Sequence, residues 1–312
     1  MRTLSREGFE RARHFLLHKA RPLESAVFQY RFEGADMRGV LTALSTFQNS
    51  DGGFGRALEP DMRSPSSSPL ATGIGLQMLS GLDCPAEESL VQRAVAYLRA
   101  AYQEKNGIWC VAPADVNSYP HAPWWHDQDG SLERIFDEFL IIPRALILAG
   151  LQHYASLSQA SWLDKVIEET VDCIEHIREL GTGGGSDLEY VIALAEARGL
   201  SRRWMLRLDH CIRQAIPLAV VGDSKRWDSY CLTPLRVVST PETLGADLVA
   251  DQVKMHLDYQ IDHQGADGTW DPVWSWAEAY PEAWTQARLE WRGLLTLKTL
   301  MQLRAFRRIE GI

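Results

Sequence analysis

Gln48-Asn49-Ser50-Asp51-Gly52-Gly53-Phe54 is the stretch whose reading decides the fold. It ends the apolar run Val40, Leu41, Leu44, Phe47, and it returns twice. The copies are Gln103-Glu104-Lys105-Asn106-Gly107-Ile108-Trp109 and Gln264-Gly265-Ala266-Asp267-Gly268-Thr269-Trp270. From Gln48 to Gln103 is 55 positions, and from Gln103 to Gln264 is 161, close to three further steps of that size. A recurrence of this kind marks a repeat architecture. Asp-Gly and Asn-Gly make tight turns, because Gly takes positive φ without steric cost and Asn and Asp tolerate it. The Gln amide is placed to satisfy backbone groups left open at helix ends, and the aromatic ring to cover the turn.

The rest of the chain reads as helix. Helical patterns fall at 5–20, 36–48, 86–104, 186–199, 202–216, 243–262 and 282–309. Pro69 suits the first turn of a helix after the loop 59–69, and Pro143 the first turn of a buried helix near 143–155. Ser161-Trp162-Leu163-Asp164 resembles a capping box before the helical run 163–177. Gly181–Gly185 reads as a flexible turn and residues 231–238 as a short extended segment. With no strand before it and no Lys after it, the glycine-rich run is not a phosphate loop.

The repeated motif resembles the QW repeat of squalene-hopene cyclases and related terpene cyclases, and the shorter repeats of protein prenyltransferase β subunits. Residues 69–79 and 290–297 resemble the inner-helix segments that follow such turns. The resemblance spans residues 35 to 308, with degenerate repeats between 155 and 245. It implies an all-α fold: a single α/α toroid over residues 1–312, five or six pairs of inner and outer helices. It further implies a terpene cyclase-like protein, with an aromatic-lined cavity and an isoprenoid-like hydrophobic molecule as its small-molecule partner.

In such a ring the loops after each turn reach the mouth of the cavity, and that geometry selects the candidates. Glu59, Asp61, Asp127 and Asp129 are the candidate acids, since a carboxyl withdrawn from water favours its protonated form. His121, Trp124, Trp125, Trp274, Trp276, Trp284 and Trp291 are candidates to line the substrate, because aromatic faces stabilise cations. All these loops are expected at one end of the ring. The departures matter as much. The Asp-x-Asp-Asp of the protonating cyclases is absent, and Asp127-Gln128-Asp129-Gly130 keeps half of it. Asp209-His210-Cys211 and Asp228-Ser229-Tyr230-Cys231 echo the prenyltransferase zinc ligands without their context, so no metal and no cofactor is expected.

Three readings therefore stand: a protonation-initiated isoprenoid cyclase, a non-catalytic toroid that binds a hydrophobic ligand or partner protein, and a carbohydrate-active α/α barrel. Composition excludes others. A net charge of −9 argues against nucleic acid and against a basic membrane patch. No apolar stretch is long enough to span a bilayer. Five scattered cysteines without a C-x-x-C and no secretory signal fit a cytoplasmic setting.

Overall fold

The computed structural model describes residues 2–132, 144–177, 180–181 and 187–312. Among these the chain is all-helical, with isolated bridges but no strand. It forms two compact units: one from Met1–Ala43, Gly181–Gly185 and Ile216–Ile312, the other from Leu44–Leu180 and Ser186–Ala215.

In the second unit, Pro69–Gly81 packs on Ser89–Ala101 and on Arg144–His153, which in turn packs on Asp187–Ala195. Ser68 caps Pro69–Gly81 by accepting the Ala71 N–H at 3.1 Å, and Pro69 takes the first helical position. The helix is buried through most of its length, and its contacts are close because its small residues permit it. A Cβ on Gly75 would meet the Phe54 ring at 2.9 Å, and one on Gly150 would meet Leu76 at 2.9 Å. In the first unit, Arg6–His18 packs on Pro22–Glu33 and on Pro281–Ala305. Leu4 and Ile309 form a parallel bridge, with Leu4 N–H donating to Arg308 O at 2.8 Å and Glu310 N–H to Leu4 O at 3.0 Å.

The first and third motifs dock alike. Gln48 Nε2 donates to Gly52 O at 2.9 Å and to Leu90 O at 3.0 Å, in the first turn of Ser89–Ala101. Gln264 Nε2 donates to Gly268 O at 3.0 Å and to Gly8 O at 2.9 Å, in the first turn of Arg6–His18. Gly52 and Gly268 have φ of +91° and +89° and lie against the neighbouring helix backbone, at Arg93 and at Arg11 and Ala12. The aromatic that follows then turns inward. Phe54 N–H donates to Thr72 Oγ1 at 2.9 Å, and Trp270 N–H to Thr296 Oγ1 at 3.3 Å.

The second motif departs from this scheme. Gln103 pairs with Ile108, one position earlier than Gln48 with Phe54, and its Nε2 meets Cys110 Sγ at 2.9 Å. The Gly107 carbonyl is held instead by the buried Arg144, which also donates to Thr170 Oγ1 at 2.6 Å. Trp109 is nonetheless buried, and its Nε1 donates to Leu98 O at 2.7 Å. Gln103 is therefore not a bridge between helices, and the guanidinium carries that role.

Several local expectations change. Pro22–Glu33 is an additional helix, and Pro22 starts it, because Pro fits a first helical turn. Ser161 is not a cap: the helix Ala160–His176 begins two residues earlier than that cap would set, with Gln159 at its N-cap and no side-chain cap bond. Residues 231–238 are not extended throughout, since Pro234–Val237 forms a helical turn with Pro at its start. Arg202–Ala219 runs past Pro217, which lies in its last turn. Pro143 and residues 182–186, on which other expectations fell, lie outside the described residues.

Candidate functional site

The loop after the first motif is tied to the loop after the second. Met62 and His121 form an antiparallel bridge. Ala122 N–H donates to Asp61 O at 2.8 Å, and Arg63 N–H to Pro120 O at 3.0 Å. Asp115 extends the junction: its two carboxylate oxygens accept Ser64 Oγ and Ser66 Oγ, each at 2.8 Å. Glu59 is 8% exposed and Asp61 2%, so the loop delivers two carboxyls out of water. Burial of a carboxylate is costly unless it is paired or protonated. Just before them Arg56 and Ala57 both adopt positive φ, 54° and 59°. Two such residues in succession are strained, and strain of this kind gathers at functional sites.

His121 is buried, and its Nδ1 lies 2.6 Å from Tyr119 O. A carbonyl only accepts, so Nδ1 carries a proton. His121 Nε2 faces His126 Nδ1 at 3.1 Å. The rings are nearly parallel, 11° apart, with centroids at 5.3 Å. The centroid separation exceeds the nitrogen separation by about two ring radii, so the nitrogens meet head-on. This suits a hydrogen bond between the rings rather than a chelated metal, whose ligands must converge on a third point.

The other candidates in this unit divide by exposure. Trp125 is half-buried and packs on the cluster Met62, Leu70, Val111, Val116, Leu132 and Leu146. Its buried Nε1 meets no acceptor among the described residues. Trp124 is 45% exposed. Asp127 accepts the Leu132 N–H at 3.3 Å and exchanges two hydrogen bonds with Asn117, so its geometry is that of a cap. Asp129 is exposed, with φ of 54°.

The remaining tryptophans belong to the first unit. Trp276 and Trp284 are buried and pack edge to face at 5.3 Å. Trp274 and Trp291 are half-buried and perpendicular at 4.9 Å, and Tyr230 extends the row at 6.0 Å from Trp274. The structure thus groups the sequence candidates as Glu59, Asp61, His121 and Trp125 in one unit and the four later tryptophans in the other.

Sequence reasoning missed three groups of residues. Arg144 carried no signal, since nothing marks an arginine as a buried donor. Asp115 sits in an irregular stretch without a motif. Arg21, Glu24 and Glu290 form a buried ion cluster: Arg21 grips Glu24 through two hydrogen bonds, at 2.7 and 2.9 Å, and stands 3.8 Å from Glu290. Arg21-Pro22 reads as a helix stop, which hides it. Among the described residues no group of three or more His, Cys, Asp or Glu side chains is arranged to hold a metal, and Asp209 is paired with Arg213 at 3.2 Å. Among the same residues no helix is long and apolar enough to cross a membrane. No protein-family model matches the chain, and no curated protein matches it in sequence.

Proposed function

We propose that the chain is a QW-type α/α toroid that acts on an isoprenoid-like hydrophobic molecule by protonating it. The observation that carries this reading is the pair of buried carboxyls, Glu59 and Asp61, on the loop held by the bridge to His121. A neutral carboxylic acid beside an apolar wall is equipped to protonate a carbon–carbon double bond. The cation so formed would be stabilised by aromatic faces, with Trp125 the foremost candidate because it packs on the Met62 cluster. The toroid is supported by the shared docking of the first and third motifs onto first turns of neighbouring helices. Asp61, the more deeply buried of the two, is assigned as the acid and Glu59 as its companion.

The test is incubation of the purified protein with squalene and with geranylgeraniol, followed by gas chromatography and mass spectrometry. Cyclised product from the native chain, lost in Asp61→Asn with unchanged circular dichroism, is the expected result. Absence of product from the native chain sinks the catalytic reading. The second reading, a non-catalytic binder of such molecules, is favoured by the fate of Asp127 and Asp129: one caps backbone and the other is exposed, so no half of an Asp-x-Asp-Asp is left to act. Quenching of tryptophan fluorescence by the same compounds without turnover would select it.

A further inference from the structure

His14 and His18 stand one turn apart on Arg6–His18, and both are exposed. Their ring centroids are 4.6 Å apart with planes at 49°. The helix fixes this arrangement, because residues four apart share a face. It is itself held in register by Ala12, Phe15 and Leu16, all buried. With metal–nitrogen bonds of about 2.0–2.1 Å, two imidazole centroids on adjacent coordination positions sit roughly 4.5–5 Å apart. The observed separation matches. Two neighbouring cations are already engaged: Arg13 with Glu33 at 2.6 Å, and Arg11 with Glu7 at 2.9 Å.

We propose that His14 and His18 chelate a divalent transition-metal ion, with water filling the remaining positions. Imidazole ligands and the general order of divalent affinities favour Cu2+ over Ni2+ and Zn2+. The site lies on the helix whose first turn receives Gln264 and whose backbone at Arg11 and Ala12 abuts Gly268. A bound ion that cross-links the last turn therefore stiffens the platform on which the third motif docks. It binds the folded chain in preference to the unfolded one, so it raises the melting temperature with concentration.

The experiment is calorimetric titration of the full chain with NiCl2 and CuCl2, together with thermal melts across the same concentrations. One ion should bind per chain, more tightly for Cu2+, and the melting temperature should climb with added metal. His14→Ala and His18→Ala should each weaken binding by about tenfold or more. The swap H18K/K19H keeps the histidine count but moves the second ring off the face, and it should lose binding equally. Both positions are exposed, so circular dichroism of the variants should be unchanged. No binding by the native chain overturns the proposal. Undiminished binding by the variant lacking both histidines also overturns it, by placing the ion elsewhere.

Discussion

Gln264 donates its side-chain amide to the carbonyl of Gly8, 256 positions away, at 2.9 Å. The same nitrogen serves Gly268 O, so one side chain joins its own turn to the first helix of the chain. Removing it takes a hydrogen bond from two backbone carbonyls at once. Gln264→Ala should lower stability by about 1–3 kcal/mol. Gln48→Ala should behave alike, for it makes the matching pair of bonds. Gln103→Ala should cost less than about 1 kcal/mol, since Arg144 holds the Gly107 carbonyl. Urea unfolding of the three variants checks the order, and a Gln103 variant as damaged as the other two would contradict it.

The turn glycines separate space from conformation. At Gly268 a Cβ would lie 2.4 Å from the Ala12 nitrogen, in a residue with φ of +89°. Gly268→Ala should cost roughly 3–5 kcal/mol, the sum of left-handed strain and overpacking against backbone. Gly34 also has positive φ, +71°, but nothing lies within 4 Å of its added Cβ. Gly34→Ala should cost only roughly 1–2 kcal/mol. Equal melting temperatures for the two variants would show that the docking contact is dispensable.

His256 gives the stability a pH dependence. Burial lowers its imidazole from 6.5 to about 3, and its Nδ1 accepts the Leu235 N–H at 3.3 Å. Between these values the unfolded chain binds a proton that the folded chain refuses. The stability tied to the neutral ring is therefore complete above pH about 6.5 and is lost as pH falls toward 3. The slope should approach 1.4 kcal/mol, at most, per pH unit, on the order of one proton. In His256→Gln that contribution should vanish. Unfolding free energies at pH 5, 6 and 7 measure it: the difference between native and variant must narrow with acidity.

The Asp115 clamp governs the loop that carries Glu59 and Asp61. It holds Ser64 and Ser66 through two charge-assisted hydrogen bonds. Asp115→Ala should cost roughly 1–3 kcal/mol, discounted because the carboxylate is partly exposed. Its clearer mark should be local: amide hydrogens of residues 59–68 should exchange faster while those of Ser89–Ala101 do not. Uniform acceleration across the unit would mean that Asp115 supports the whole fold rather than the loop.

Much of this protein is legible in its sequence. The three Gln-x-x-(Asp/Asn)-Gly-x-aromatic stretches fix where helices stop, because only a glycine takes the positive φ found at Gly52, Gly107 and Gly268 without strain. Apolar periodicity fixes where the helices run, and Pro69 and Pro281 mark two of their starts. These are local effects, within a turn or two of chain, so neighbouring residues suffice to dictate them. What the tertiary structure decided is which groups those turns meet. Matching motifs gave Gln48 and Gln264 a carbonyl in another helix and gave Gln103 a cysteine, because Arg144 had taken the position. Asp61 and Asp127 look alike in the chain, yet one is buried by the bridge at Met62 and His121 while the other caps Leu132. Burial and partner choice arise from contacts between residues far apart in sequence. No local pattern records them, and they alone decide which carboxyl is kept from water.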